Sequence, residues 1–302
     1  MLSARAARQC PVRTGYGGLL HSARAYSQVP AVRPLAYDLH APPKTSGAPG
    51  KPILFLHGLF GSKKNNRGIS KALARDLERP VYALDLRNHG DSPKSARHDY
   101  SAMSEDVTCF IQDMDLKQPT IIGHSMGAKT AMAVALSSPN LISDIVAVDN
   151  APVDATLSRD FAEYVRAMKK IEDAQTTRQA DADKILQEVE ESLPIRQFLL
   201  GNLVREPGEE VQKFRIPLDI LGRSLNNLGD FPFKDPNVVR FEKPALFVRG
   251  TQSKYVPDDV LPVIGRFFPR FRLSDVDAGH WLISEQPEAF RKAVVEFLTP
   301  NE

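Results

Sequence analysis

The chain has 302 residues, 42% hydrophobic and 25% charged, with a formal net charge of +2. That is the composition of a globular protein made of one large α/β domain or two small ones. No apolar run approaches the ~20 residues that cross a bilayer. Two cysteines, Cys10 and Cys109, supply neither a disulfide framework nor a thiolate metal site, which fits a reducing compartment.

The charge is unevenly placed. Arg5, Arg8, Arg13, Arg24 and Arg33 precede the first acid, Asp38, and several Ser and Ala lie among them. Removing residues 1–27 takes away four arginines and leaves 35 basic against 37 acidic residues, a net charge of −2. The body of the chain therefore gives no general case for nucleic-acid binding. An Arg-rich, acid-free start predicts a mitochondrial transit peptide within residues 1–33, cut near Arg24–Ser27, and so a mitochondrial location.

Next comes a Pro/Gly/Ser turn region, APPKTSGAPG (41–50). PILFLHG (52–58) reads as a short buried strand ending in glycine. ISKALARDLE (69–78) has helical spacing, and VYALDLR (81–87) is a second apolar strand. In 101–114, Met103, Val107, Phe110, Ile111 and Met114 fall on one helical face. A strand at TIIGHS (120–125) runs into a helix of small residues, MGAKTAMAVALSS (126–138). Further strands are read at 144–150, 244–250 and 271–277, with helices at 257–268 and 286–298. Near-continuous apolar strands alternating with helices predict a doubly wound, mostly parallel sheet covered on both faces. The alternation breaks once. No strong strand is read in 153–236, while Phe161, Tyr164, Val165 and Met168 recur at helical spacing. This segment is expected to form a helical cap inserted into a core of residues 34–152 and 237–302.

Gly123-His124-Ser125-Met126-Gly127 fits G-x-S-x-G between a strand and a helix. In that context the serine sits on a sharp, strained turn, and side chains at the flanking glycines would collide with strand and helix. Ser125 is the candidate nucleophile. The Met126 N–H, at the helix start, is a candidate oxyanion donor. The second donor is expected from His57-Gly58-Leu59-Phe60-Gly61, after an earlier strand: the N–H of Leu59 or of Phe60, with Phe60 favoured. Of seven histidines, only His280 follows everything else, just past the last strand, where the base of such a serine belongs.

Together HGLFGS (57–62), DLRNHGDS (85–92), GHSMGA (123–128) and DAGHW (277–281) resemble the α/β-hydrolase fold superfamily over roughly residues 50–300. The superfamily's acid usually follows the strand before the last, in a turn like G-x-x-D-x-x-V. Here that turn reads GTQSKYV (250–256), with Ser253 at the acid position. A neutral serine cannot stabilise an imidazolium. Asp149 ends an apolar strand on the same sheet edge as Ser125 and His280. A carboxylate buried there needs a partner. The displaced acid, followed by Asn150-Ala151-Pro152, resembles a branch that includes a mitochondrial abhydrolase of animals, a bacterial esterase and the yeast ethanol acetyltransferases. FRIPL (214–218) is similar to that branch's cap. The resemblance implies that Asp149 is the acid; Asp258, Asp259 and Asp277 are the rivals. Asp85, Arg87 and His89 are expected to tie down a loop beside the site.

The expectation is a serine hydrolase acting on carboxylic esters or thioesters through an acyl-serine. The alternatives are an alcohol O-acetyltransferase, with acetyl-CoA as acyl-donor substrate, and a non-catalytic binding protein on the same fold. No long lid for an oil surface is read, which argues against a lipase. No metal-spaced cluster or dinucleotide fingerprint is read, so neither metal nor cofactor is expected.

Overall fold

A computed structural model describes residues 31–43, 50–155 and 159–299. The leader through residue 30, with its cleavage site, and most of the 41–50 turn lie outside the described residues. The chain enters through β1 (Tyr37–His40) and then follows β2 (Ile53–Leu56), α1 (Arg67–Leu77), β3 (Val81–Leu84), α2 (Tyr100–Asp113), β4 (Thr120–His124), α3 (Met126–Ser137) and β5 (Asp144–Val148). An excursion follows: α4 (Arg159–Asp173), α5 (Gln179–Leu186), α6 (Leu193–Leu200), β6 (Leu203–Arg205), β7 (Gln212–Phe214) and α7 (Leu218–Gly229). The chain then returns through β8 (Ala245–Gly250), α8 (Leu261–Phe267), β9 (Phe271–Val276), α9 (Leu282–Glu285) and α10 (Pro287–Leu298).

The main sheet has the order β1-β3-β2-β4-β5-β8-β9, parallel throughout except for β1, which pairs antiparallel with β3. The period of two along each strand sorts side chains onto two covered faces. Leu54, Leu56, Ile121 and Ile145 face a cluster that includes α2 and α3. Ile53, Phe55, Ile122 and Val146 face Leu73 of α1 and Phe290 and Val294 of α10. Water reaches neither face, so the central strands carry no alternation and read as solid apolar runs. In α3 every residue from Met126 to Leu136 is buried. Its small side chains let it press onto the sheet. A Cβ on Gly127 would stand 2.4 Å from the Leu56 carbonyl oxygen, so only glycine allows that approach.

Between β5 and β8 the described residues form four helices and one short hairpin. No strong strand is expected there from the sequence. The structure adds β6 and β7, three residues each, paired from Leu203↔Phe214 to Arg205↔Gln212. Strands that short show no countable alternation. β1 was also unread; it is a four-residue edge strand with Tyr37 and Leu39 exposed.

The C-terminal end of α7 rests on the core. Tyr100 donates its hydroxyl to the Leu228 carbonyl at 2.8 Å. Lys129, one turn beyond Ser125 on α3, donates Nζ to the carbonyls of Gly229 and Asp230 at 3.2 and 3.1 Å. These donors satisfy carbonyls that a helix end leaves without partners. Lys129 is only 1% exposed. Burial lowers its pKa from the usual 10.5 to about 8, against the pull of Asp154 and Asp230. Between those two values the unfolded chain holds a proton that the folded chain has released, so stability rises with pH there. At ~1.4 kcal/mol per unit, the buried ammonium costs the fold on the order of 3 kcal/mol at pH 7. Urea unfolding of wild type and Lys129→Met at several pH values should therefore show the difference shifting towards wild type from pH 8 to 10.5. A flat difference would mean the ammonium is not disfavoured.

Candidate active site

Three residues with left-handed backbone meet at the carboxyl edge of the sheet: Phe60 (φ 63°), Ser125 (φ 54°) and Asp149 (φ 52°). Each costs on the order of 1–3 kcal/mol and persists only where the surroundings hold it. Ser125 lies between β4 and α3. Its N–H donates to the Val148 carbonyl at 2.8 Å, and its own carbonyl accepts Asn150 Nδ2 at 3.2 Å. The turn is clamped from both sides, and the side chain is presented beyond the strand end.

Ser125 Oγ donates to His280 Nε2 at 3.0 Å. His280 Nδ1 in turn donates to Asp149 Oδ2 at 2.6 Å. Asp149 is fully buried, and its carboxylate has two further donors. The Gly250 N–H reaches Oδ1 at 3.1 Å, and the Ser253 hydroxyl reaches Oδ2 at 2.5 Å. The serine at the usual acid position thus hydrogen-bonds the displaced acid. Tyr255 stacks on the His280 ring, with centroids 4.1 Å apart and planes at 23°. His124 Nε2 donates to the His280 carbonyl at 2.8 Å. Burial and the neighbouring His280 lower the His124 pKa to about 4, so this ring stays neutral and serves as a fixed donor.

The rival acids do not reach His280. Asp258 pairs with Arg249 at 2.6 Å. Asp259 is exposed in the same turn. Asp277 accepts from Thr251 Oγ1 at 3.3 Å and from Gln252 Nε2 at 3.0 Å.

One expectation about the oxyanion donors needs correcting. Phe60, the favoured residue, has already committed its N–H to His89 Nε2 at 3.1 Å. The Leu59 and Met126 amides meet no acceptor among the described residues. The loop that carries Leu59 lies directly against the nucleophile, since a Cβ on Gly58 would stand 3.3 Å from Ser125 Cβ. Two neutral imidazoles fix this loop. His57 donates Nδ1–H to the Gly58 carbonyl at 2.8 Å and accepts the Leu86 N–H at 3.0 Å. His89 donates Nδ1–H to the Arg87 carbonyl at 2.9 Å. Burial is the chief cause that lowers both pKa values. Arg87 forms a two-pronged pair with Asp106, with both contacts at 2.6 Å. Asp85 accepts the Lys63 N–H at 2.6 Å and the Asp91 N–H at 2.8 Å. His98 is buried beside His89.

The supporting partners Asn150, Ser253 and Tyr255 were missed as contributors. Ser253 left a signal as a departure from the superfamily turn, and Asn150 as part of the motif after the displaced acid; Tyr255 left none. Among the described residues no group of three or more His, Cys, Asp or Glu is placed to hold a metal ion, and no helix is long and apolar enough to cross a membrane.

A family profile described as alpha/beta hydrolase fold matches residues 51–287. A probable alcohol acetyltransferase of Saccharomyces cerevisiae is 42% identical over 273 residues, covering 85% of this chain and 79% of that protein. An sn-1-specific diacylglycerol lipase of Xenopus tropicalis is 38% identical over 271 residues, covering 87% of this chain and 82% of its own. Among solved structures, a marine microorganism esterase superposes with a TM-score of 0.80 at 30% identity, covering 87% of this chain and 98% of that one.

Proposed function

The chain belongs to the α/β-hydrolase fold family, and within it we propose a serine hydrolase that cleaves carboxylic esters or thioesters through an acyl-serine. The observation that carries this reading is the Ser125–His280–Asp149 relay, with contacts of 3.0 and 2.6 Å. As Ser125 Oγ attacks the acyl carbonyl carbon, its proton passes to His280 Nε2. Asp149 stabilises the imidazolium and holds Nδ1–H in the tautomer that leaves Nε2 free to accept. The Leu59 and Met126 amides stabilise the oxygen that becomes negative. Collapse expels the alcohol or thiol, which takes the proton from His280. Water, activated by the same histidine, then releases the acid and restores the serine. These steps draw on no cofactor.

A second reading rests on the likeness to the alcohol acetyltransferase. There an alcohol replaces water in the last step, and acetyl-CoA is the acyl-donor substrate. The likeness to a diacylglycerol lipase brings neutral glyceride esters into the substrate class. The arginine-rich leader supports a mitochondrial address.

Product analysis separates these readings. The protein is supplied with an aryl acetate, a diacylglycerol, or acetyl-CoA with and without ethanol, and Ser125→Ala is the control. Free acid from esters, made only by the intact serine, is the expected result. Ethyl acetate exceeding free acetate at high ethanol would favour the transferase. Hydrolysis by Ser125→Ala at the wild-type rate would remove the acyl-serine altogether.

A further inference from the structure

Phe60 is a bulky residue in a backbone conformation that such residues avoid, with φ at 63°. Both of its peptide groups are held. Its N–H is taken by His89 of the core at 3.1 Å. Its carbonyl accepts Asn202 Nδ2, from the segment between β5 and β8, at 2.8 Å. All three residues are buried, Phe60 and His89 at 1% exposure and Asn202 at 6%. A second carbonyl, that of Leu199, faces the same Asn202 nitrogen at 3.3 Å. Two acceptors on one atom settle which way the amide points. The Phe60 ring also packs on Phe161 of α4, with centroids 6.0 Å apart.

Asn202 is itself pinned. Its backbone carbonyl accepts the Arg215 N–H at 2.8 Å. The Arg215 guanidinium pairs with Asp91, a carboxylate that also pairs with Lys63, and Lys63 pairs with Asp85 at 2.6 Å. The excursion thus closes on the core around the loop that carries Leu59, and Asn202 is the side chain that reaches that loop's backbone from the excursion side.

We propose that Asn202 is a positioning residue: by fixing the Phe60 carbonyl it holds the 58–61 turn, and with it the Leu59 N–H two peptide units back, where the oxyanion forms. The oxyanion hole is then complete only when the segment between β5 and β8 is seated on the core. This rests on the serine-hydrolase reading above. Without the Asn202 donor, the Phe60–Gly61 peptide keeps only the bond from the Gly61 N–H to the Gly58 carbonyl at 3.0 Å, and the turn that carries Leu59 is free to shift against the nucleophile. A donor displaced by about an ångström can cost ~10²-fold in rate. The negative oxygen develops only as the acyl carbonyl is attacked, so KM should be little affected.

The test uses the full chain and compares wild type, Asn202→Ala and Asn202→Asp. Asp keeps the volume and, when ionised, has no proton for the Phe60 carbonyl, so the kinetics are run on the alkaline side, where a buried carboxyl gives up its proton. For each protein, kcat and KM on an aryl acetate are measured, together with the rate of labelling by a fluorophosphonate and the thermal midpoint. Both variants should fold and should lose about tenfold to a hundredfold in kcat, with KM nearly unchanged and labelling slowed in parallel. Wild-type kcat in either folded variant overturns the proposal. A raised KM at unchanged kcat also overturns it, because the contact would then serve binding. Unfolding of both variants would make Asn202 a packing residue and overturn it as well. Failure of the fluorophosphonate to label wild type would sink the serine-hydrolase reading itself. A labelled wild type beside a fully active Asn202→Ala would sink only the positioning role.

Discussion

Asp149→Asn should lower kcat on the order of 10⁴-fold, and Ser125→Ala on the order of 10⁶-fold, with the fold intact in both. The aspartate effect follows from the tautomer. In wild type Asp149 Oδ2 accepts His280 Nδ1–H at 2.6 Å, which leaves Nε2 bare and 3.0 Å from Ser125 Oγ. An asparagine sits among the same donors. Its oxygen takes the Gly250 N–H, which reaches Oδ1 at 3.1 Å in wild type. That turns the new NH₂ towards His280. The ring must then accept at Nδ1 and carry its proton on Nε2, where it can take none from serine. Ser253→Ala removes the hydroxyl donor at 2.5 Å but leaves the histidine contact, so its effect should be far smaller. Asp258→Asn should be near wild type, because Asp258 pairs with Arg249 instead. Steady-state kinetics on an aryl acetate checks all four variants. An active Asp149→Asn beside a crippled Asp258→Asn would sink the assignment.

How much of this was legible depended on the range of the forces involved. The central strands of the sheet announced themselves because burial on both faces leaves no room for polarity, as in ILFL of β2. The turn at Ser125 was legible because a strand, two glycines and a helix of small residues lie side by side in the chain. Asp149 could be named because an acid ending a buried strand is costly without a partner, although the resemblance was needed to rank it above Asp258. The oxyanion donor was not legible. Leu59 and Phe60 are neighbours of similar character, and what separates them is an acceptor on His89, 29 positions away. The sequence places His89 as a tie for a loop beside the site but carries no trace of which amide it takes. Asn202 acts across 142 positions and is equally silent. The hairpin of β6 and β7 was missed for another reason: three-residue strands are too short for any period to show.

The largest stability effect is expected at the pair Arg87–Asp106, whose two side chains are both fully buried. Arg87 Nε and Nη2 each meet an Asp106 oxygen at 2.6 Å. The guanidinium also donates to the carbonyls of Arg97 at 3.0 Å and Ala102 at 3.1 Å. Asp106 Oδ1 further accepts the Val32 N–H at 2.6 Å. Burial holds the Asp106 carboxyl above its usual pKa even though Arg87 pulls the other way. Most of the attraction is therefore consumed by desolvation, and the pair adds little net stability. Removing one partner is a different matter. Arg87→Met leaves a carboxylate in the core with only an amide for company, and Asp106→Leu leaves a buried cation. Each single change should cost about 3–5 kcal/mol in urea unfolding, a large part of a typical 5–15 kcal/mol. The double variant should cost less than the sum of the singles by roughly 1–3 kcal/mol, because it strands no charge. Strict additivity would show that the two groups do not depend on each other. The same changes should reach the active site. The Arg87 carbonyl orients His89, and His89 holds Phe60. Variants still folded in the absence of urea should therefore lose kcat before they lose substrate affinity, which no merely peripheral ion pair would do.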